Sequence, residues 1–464
     1  MFPRPTTQSK HTLHHDSRGV VALFLVVMVL AVASILSLSL SLVYLNRIKS
    51  FEAFGKSQQA YFASEGGTED AVYRIKNNFA IPASYTLAVG GAQTDVTTTT
   101  NGNQKTIQAR GMVNGYTRAT QASLTLSSVN PSFYYGAQVG GGGIEMGENS
   151  TIEGAEGSAG NVYSNGAVSG ENKAKVTGDL IVATSIDSVV VLGDAKANAI
   201  INSKICGDAY YQSIDSSSLN FLNSPSSPSC PSPPTNGVAY PGSSDPPVQN
   251  LPISQANIDQ WKQDGAVGGI INGNCGDSGV PECVINDDGT LSLGPKKIIG
   301  NLVLTKKQTL VITGTLYVQG HIDLDSSGGA TIKCDQAYGA QGCVVVTDSW
   351  IHIKNNSIFQ GSGAQGSYLI FVSTLAGCNG GDQEPQCTHH NAAVDIHNNA
   401  TGAIFYVPDS MANLHNGVTV TELTAYKLNL DNGASVQYEQ GLFDSSFSSG
   451  PGASFNIIGW EEIP

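Results

Sequence analysis

Residues 18–45 of the chain read RGVVALFLVVMVLAVASILSLSLSLVYL. The twenty-six residues from Val20 to Leu45 contain no charged residue, proline or glycine. A helix needs about 20 apolar residues to cross a bilayer, whereas the apolar part of a secretory signal has about 7–15. Serines alternate with leucines near the end of the stretch, but a lone strand in lipid would leave its backbone groups unpaired. The stretch therefore predicts a membrane-spanning helix.

The segment before the span is short and cationic. Its first eighteen residues contain three Lys or Arg residues against one acidic residue, Asp16. Positive charge beside a span favours the cytoplasmic side, so the sequence predicts a single-pass protein with its N-terminus inside and its bulk outside. Two basic residues beyond the span, Arg47 and Lys49, weaken this prediction of orientation.

Two motifs accompany the span. Arg18-Gly19 directly precedes it, and residues 58–71 read QQAYFASEGGTEDA. The first resembles the cleavage site of type IV prepilins, and the second resembles the end of the N-terminal helix in PilX-type pilus assembly proteins. The resemblance covers residues 18–76. It implies that a prepilin peptidase cuts after Gly19, that the leader 1–19 is removed, and that the mature chain begins at a methylated Val20.

The fifth residue of that mature chain departs from the family pattern. Major subunits of type IV pili carry Glu there, whereas this chain has Phe24. The resemblance implies that the Glu offsets the amine of the subunit ahead in the fibre. The first subunit of a fibre has no subunit ahead of it, so Phe24 favours a tip or sparse position. The other pilin-like subunits are expected to bind through the N-terminal helix.

Beyond the span, the sequence predicts an α+β pilin-like module. Apolar residues recur at helical spacing up to residue 77, which extends the helix over 20–77. Gly66-Gly67 is expected to weaken or bend it. Residues 78–130 then hold four alternating runs separated by Gly-Gly and Asn-Gly signals, which predict an antiparallel meander.

The composition limits the partners of the outer part. The 464 residues exceed what one core usually serves, so two or more modules are expected. The net charge is −14, from 23 Lys and Arg against 37 Asp and Glu, and loss of the leader makes it −16. Phosphate contacts need concentrated Lys and Arg, so nucleic acid is not expected as a partner.

All eight cysteines lie beyond residue 200. They form close pairs in sequence, and none has the C-x2-C spacing of a zinc site. An even number of clustered cysteines predicts disulfides in an oxidising compartment, with metal binding as the alternative. The expected pairs are Cys206 with Cys230, Cys275 with Cys283, Cys334 with Cys343, and Cys378 with Cys387.

Residues 131–464 follow a different sequence pattern. Apolar residues occupy every second position from Leu310 to Leu324, with Gly314 and Gly320 among them, and the pattern is too long for one strand. Repetition of short apolar runs with glycine bends predicts an all-β right-handed parallel β-helix. Nine prolines between Pro225 and Pro252 predict an irregular insertion at 207–262 that covers the outside or one end. Trp460 is expected to cap the last coil.

Candidate chemistry in this region is sparse. Asp323 and Asp325 share an outward row with His321, but no set of convergent carboxylates and cations indicates a polysaccharide lyase or hydrolase. His389-His390 with Asp395 and His397 allow a metal hypothesis, but the sequence favours the simpler interpretation that they are polar residues next to the Cys378–Cys387 loop. We therefore assign no catalytic residue, metal or cofactor from the sequence.

The sequence thus predicts a minor pilin-like structural subunit of a type IV pilus or related filament. It would display its β-helix for adhesion to a surface glycan or protein, or for priming assembly. The main alternative is a surface adhesin that keeps the membrane anchor and enters no filament. A β-helix enzyme acting on polysaccharides is the third hypothesis.

Overall fold

A computed structural model describes the chain over twelve ranges and two single residues. The described residues are 17–76, 81–101, 104–126, 128–129, 133–226, 229–232, 234–324, 329–380, 387, 391–439, 441–442, 445, 447–448 and 455–463.

The first element, α1, is a single helix over Ser17–Lys76. Its 60 residues make it about 90 Å long at 1.5 Å per residue. The described part of the helix reaches Lys76, and it continues through Gly66-Gly67, where the sequence predicts a weakened or bent turn. A Cβ on Gly67 would lie 2.4 Å from Cγ2 of Thr94, so this glycine allows the helix to approach a sheet closely.

The second half of α1 packs on an antiparallel sheet, which we call the head. Its strands are β1 Ser84–Val89, β2 Ala92–Asn101, β3 Gln104–Val113 and β4 Tyr116–Leu126. They pair in chain order, as the meander prediction requires, and Asn114-Gly115 forms the β3–β4 turn with positive φ at both residues. Apolar residues of α1, including Ala71, Val72 and Ile75, are buried with this sheet.

Strands from Ala137 to Tyr438 form a large β-rich part, which we call the parallel region. After β5 (Ser128–Val129), its first strands are β6 Ala137–Met146, β7 Thr151–Gly154, β8 Val162–Ser164, β9 Val168–Gly170, β10 Lys175–Val176, β11 Leu180–Val182, β12 Ser185–Asp187, β13 Val190–Val191, β14 Ala195–Ile201, β15 Lys204–Ile205, β16 Ala209–Ile214 and β17 Ala239–Pro241. Two helices follow β16 and β17, respectively: α2 Ser216–Asn223 and α3 Gln255–Val267.

The remaining strands continue to the end of the chain. They are β18 Ile270–Asn272, β19 Cys275–Gly276, β20 Thr290–Leu293, β21 Lys296–Ile299, β22 Leu302–Val303, β23 Thr309–Ile312, β24 Leu316–Val318, β25 Ile322–Leu324, β26 Thr331–Cys334, β27 Cys343–Thr347, β28 Ile351–Ile353, β29 Ile358–Gln360, β30 Leu369–Ser373, β31 Val394–Ile396, β32 Ile404–Leu414, β33 Thr419–Val420, β34 Glu422–Leu430, β35 Ser435–Tyr438, β36 Phe447–Ser448 and β37 Phe455–Ile463.

Pairing in the parallel region joins successive turns of the chain, and its order differs from chain order. Strand β6 pairs with β8 on one side and with β34 on the other. From β8 the chain proceeds through β11, β14 and β16 to β17. It resumes at β18 and returns through β21, β24, β27, β30 and β32 to β34. The chain therefore enters and leaves the parallel region beside the middle of its stack of turns.

The alternating run that was too long for one strand bends where it was predicted to bend. It divides into β23, β24 and β25, and Gly314 and Gly320 lie in the gaps. A Cβ on Gly314 would lie 2.3 Å from the Pro295 nitrogen, so neighbouring turns approach closely there. The inward apolar residues of the run are fully buried in one continuous core.

The predicted insertion at 207–262 is partly wrong. Strand β16 lies inside it and pairs in parallel with β14 and β17. The prolines begin only at Pro225, so nothing in β16 blocks pairing. Strand β17 ends at Pro241 and pairs with β16, in keeping with the tolerance of sheet edges for proline.

Residues 242–268, which we call the strap, do cover the outside of the parallel region. The Asn165 side chain donates to the Gln249 carbonyl at 2.8 Å, and Gln138 donates to the Asn250 carbonyl at 2.8 Å. Further along, Tyr406 donates to the Ile253 carbonyl at 2.5 Å. The strap ends in α3, which begins after the N-cap residue Ser254 with a capping box.

The chain terminus corrects a second prediction. Trp460 was expected to cap the last coil, within a β-helix that extended to residue 464. Instead, β37 pairs antiparallel with β4 and becomes the fifth strand of the head. Strand β36 likewise pairs with β5. The chain segments before and after the parallel region therefore pair with each other, β4 with β37 and β5 with β36.

The structure contains all four expected disulfides. Cys206 bonds to Cys230, Cys275 to Cys283, Cys334 to Cys343, and Cys378 to Cys387. Each bridge closes a sequence separation of 8–24 residues, and no cysteine remains free.

Candidate functional site

The N-terminal half of α1 presents an apolar surface that the rest of the chain does not cover. Its large apolar side chains from Val21 to Leu45 are 52–71% exposed, and Phe24 is 70% exposed. The helix is long and apolar enough to cross a membrane, with a window of mean hydropathy 2.9 and none of that window buried. Gly19 and Val20 lie in its first turns.

The serines of this surface are compatible with an apolar surrounding. The Ser34 hydroxyl donates to the Leu30 carbonyl at 2.8 Å, and the Ser39 hydroxyl donates to the Ile35 carbonyl at 2.9 Å. A hydroxyl that bonds inside its own helix needs no partner from solvent. These serines therefore do not oppose burial of α1 in lipid or among other helices.

One arginine of the head contacts both α1 and the last strand, β37. Arg118 of β4 forms an ion pair with Glu462 of β37 and donates to the Ser57 hydroxyl at 3.0 Å. Its guanidinium also lies over the Tyr61 ring, 5.8 Å from the centroid. The helix, the middle of the head and its last strand thus meet at this residue.

A second cluster lies on the parallel region, where four histidines and three aspartates form a column across successive turns. They are His321, His352, His397 and His415 with Asp323, Asp395 and Asp431, and Nδ1 of His415 lies 3.3 Å from Oδ2 of Asp431. The register pairs Asp323 with His352, and His352 with Asp395. It also pairs Asp395 with Asn413, two residues before His415. Because parallel strands pair in register, residues on successive turns stack directly above one another.

Hydrogen bonds and ring stacking connect this column. Nδ1 of His352 lies 3.1 Å from Oδ1 of Asp323, and Nε2 of His397 lies 2.8 Å from Oδ2 of Asp395. Nε2 of His415 lies 3.0 Å from the other oxygen of Asp395. The His397 and His415 rings stack with centroids 4.3 Å apart. At the far end, His321 stacks on Trp350 at 4.0 Å.

The column is largely closed to solvent. The side chain of Asp395 is 1% exposed, that of His352 is 3% and that of His397 is 16%. The hydrogen bond with Asp395 raises the pKa of His415, although burial opposes this change. Burial lowers the pKa of His321.

The structure brings together some of the residues singled out from the sequence. Asp395 and His397 are hydrogen bonded, as their positions on one strand face allow. Asp323 faces His352, and His415 contacts Asp395. Neither of these two histidines was identified as a candidate from the sequence. The positions of Asp325, His389 and His390 lie outside the described residues. The histidines of the column occur once on each of several successive turns. That pattern can be recognised only when the pairing register of the strands is known.

Glu422 of β34 is another buried carboxyl. It is fully buried; its Oε1 accepts from the Thr424 hydroxyl at 2.7 Å, and its Oε2 has no hydrogen-bond partner among the described residues. Burial raises the pKa of Glu422 well above its usual range, although the Thr424 hydrogen bond acts in the opposite direction. The folded chain therefore binds this proton more tightly than the unfolded chain does.

This shift predicts a pH-dependent loss of stability. A raised folded-state pKa stabilises the fold fully below the unfolded value near 4.5, and this contribution is lost as pH rises toward the folded pKa. The loss is at most about 1.4 kcal/mol per pH unit for one proton. We expect Glu422→Gln to remove it, so that the variant loses less stability than the wild type between pH 5 and pH 8 in urea unfolding. Equal slopes would contradict this prediction.

The parallel region also carries an open cleft of about 930 Å³. Polar and apolar side chains line it together, including two aromatic rings, Phe359 and Tyr368. The Tyr368 hydroxyl donates to Glu439 at 2.9 Å. Other lining residues include Lys333, Asp335, Gln360 and Gln365. A groove of this composition offers the hydrogen-bonding groups and ring surface that a polar ligand requires.

No protein family and no curated protein matches the chain. Among solved structures, the crystal structure of the competence-associated pilin ComZ from Thermus thermophilus is similar over 88% of this chain and 97% of ComZ. The identity is 10% and the TM-score is 0.21. A TM-score this low does not establish a common fold.

Proposed function

We propose that this chain is a pilin-like minor subunit of a type IV pilus or a related filament, of the PilX type that residues 58–71 resemble. One observation carries the proposal. In α1, an exposed apolar half precedes a half that packs on an antiparallel sheet. Such a helix can anchor a subunit in the membrane and later bury the same surface among other helices of a fibre.

The transfer of α1 from lipid into a fibre depends on removal of the leader. In the proposed cycle, prepilin peptidase cuts after Gly19 on the cytoplasmic face, and Val20 becomes the new N-terminus. While the leader is present, its cations hold the N-terminus at the cytoplasmic surface. After cleavage, the apolar segment leaves lipid for a protein interior without exposing charge.

Two features, Phe24 and the bulk of the parallel region, support the proposed position in the filament. Phe24 offers no carboxylate to the amine of a subunit ahead, and a first subunit has none ahead. The parallel region adds more than three hundred residues beyond the helix, from Ala137 to Tyr438, and its mass opposes dense stacking of copies. Both features favour a tip or a sparse position.

We also propose that the parallel region is a right-handed β-helix. Support comes from the parallel pairing of successive turns, the single buried core inside them and the glycine bends between short strands. The strap would fasten such a solenoid from the outside, and the four buried disulfides would tie its loops to the stack.

A surface adhesin that stays anchored in the membrane is the second candidate. The cleft near Tyr368 favours ligand binding under either hypothesis, and its polar lining suits a surface glycan or a protein loop. The two hypotheses differ in whether the chain leaves the membrane.

Immunogold labelling of sheared filaments from the native cells tests the proposal. We expect gold particles at filament ends or at sparse positions. A Gly19→Val variant, with a bulky residue at the cleavage site, should remain in the membrane fraction and give no filament label. Uniform label along the filaments would contradict the tip or sparse position, and filaments with no label in the wild type would favour the anchored adhesin.

A further inference from the structure

We propose that the column on the parallel region binds one Zn²⁺ through His352, Asp395 and His397. The proposal is independent of the filament function. One ligand atom from each of the three residues lies within 4.8 Å of the other two. Zinc–ligand bonds of about 2.0–2.2 Å place tetrahedral ligands roughly 3.3–3.5 Å apart, so small side-chain rotations suffice to close the set around an ion.

The ligand types select the metal class. Two imidazoles and one carboxylate suit a borderline transition ion such as Zn²⁺, whereas Ca²⁺ and Mg²⁺ prefer oxygen ligands alone. The eight cysteines are all in disulfides, so thiolates do not compete for the ion. Three protein ligands leave the fourth tetrahedral position to water or to a further group.

The neighbouring residues orient the ligands as metal sites require. Asp323 bonds to Nδ1 of His352, which assigns Nε2 of that ring to the ion. His415 bonds to Oδ1 of Asp395, so that Oδ2 is the oxygen directed toward His397. Carboxylate–histidine–zinc chains of this kind fix ring orientation and increase ligand basicity. In the present arrangement, Nε2 of His397 holds Oδ2 directly, and the ion would replace that hydrogen bond.

Burial and position indicate what the ion would do. Asp395 is 1% exposed, and His397 at 16% exposure provides the approach from solvent. The three ligands come from the turns of β28 and β31, so a bound ion would cross-link adjacent turns of the stack. An ion that binds only the folded chain stabilises it in proportion to its concentration.

The direct test is calorimetric titration of ZnCl₂ into the full-length protein, solubilised in detergent, free of affinity tags and stripped with EDTA. We expect one Zn²⁺ per chain and a melting temperature that rises with Zn²⁺ concentration. His352→Gln, Asp395→Asn and His397→Gln should each abolish the saturable binding. Asp323→Asn, which changes only a positioning residue, should keep the 1:1 stoichiometry and weaken affinity by about 10–100-fold.

Two controls separate this site from other histidines. His321→Gln alters a ring of the same column that is not a proposed ligand, and it should leave affinity unchanged. A double variant, His389→Gln with His390→Gln, should also bind as the wild type does. Circular dichroism of each metal-free variant establishes that it is folded, and the visible spectrum of bound Co²⁺ reports nitrogen and oxygen coordination without depending on melting. The absence of 1:1 binding to the wild type, or its retention in folded His397→Gln, would overturn the proposal.

Discussion

Gly111→Ala is expected to separate α1 from the head. A Cβ at Gly111 would lie 2.0 Å from the Ala60 carbonyl oxygen and 2.8 Å from the Ser64 backbone nitrogen. Both atoms belong to the backbone of α1, which cannot rotate away as a side chain could. Overpacking usually costs about 1–3 kcal/mol, and contact with a rigid helix places this variant at the upper end or beyond. Urea unfolding of the solubilised chain measures the loss.

The matched control is Gly55 of α1, the helix that Gly111 contacts. A Cβ at Gly55 would meet no atom within 4 Å, and alanine is a better helix former than glycine by about 1 kcal/mol. Gly55→Ala should therefore leave stability unchanged or increase it. Hydrogen exchange should show faster exchange in residues 58–75 of Gly111→Ala alone. Wild-type exchange in that variant would mean that the helix does not rest on β3 as described.

Trp261→Ala is expected to release the strap. Trp261 is 1% exposed and packs in an outer apolar cluster with Val344, Ile370 and Tyr406. The adjacent Lys262 forms a 2.6 Å ion pair with Asp348, which holds α3 against the same surface. Truncation of a buried Trp to Ala costs about 3–5 kcal/mol. The variant should melt at a lower temperature and become sensitive to protease within residues 242–268.

A substitution elsewhere on α3 serves as the control. Val267 is 59% exposed at the end of that helix, so Val267→Ala removes apolar surface that is already in contact with water. It should change stability by less than about 0.5 kcal/mol. If Trp261→Ala resembled this control in both melting and proteolysis, the strap would not be held by its tryptophan.

Local signals predicted much of this fold. The apolar run of α1, the Asn114-Gly115 turn and the bends at Gly314 and Gly320 all depend on residues close in sequence, and each appears where expected. The entry of the chain beside the middle of its stack does not depend on such signals. Nothing in the residues of β6 identifies β34 as its neighbour, because nearly three hundred residues separate them.

The same distinction applies to the errors. Strand β37 reads FNIIGWEEI, without regular alternation of apolar and polar residues, and only tertiary pairing with β4 assigns it to the head. The insertion was predicted from proline content, which disfavours strands between Pro225 and Pro252, where only the three-residue β17 is described. It has no bearing on β16, which precedes these prolines. Gly66-Gly67 reads as a helix weakness in sequence, whereas packing on Thr94 gives Gly67 a structural use.

The histidine column shows which contacts of a site can be predicted from sequence and which cannot. Asp395 and His397 share a face through their spacing of two, so their contact was predictable. His352 reaches them only because the turn between β28 and β31 has the length that brings it into register. Turn lengths in this region vary, so the partner turn cannot be counted from the residues alone.

The central claim is that α1 exchanges lipid for the interior of a fibre after the leader has been removed. Intact-mass measurement of the protein extracted from its native envelope, where the prepilin peptidase is active, tests this most directly. We expect a chain that begins at Val20, lacks residues 1–19 and carries one added methyl group. A chain that still begins at Met1 would contradict the filament role and leave a surface protein permanently anchored through residues 20–45.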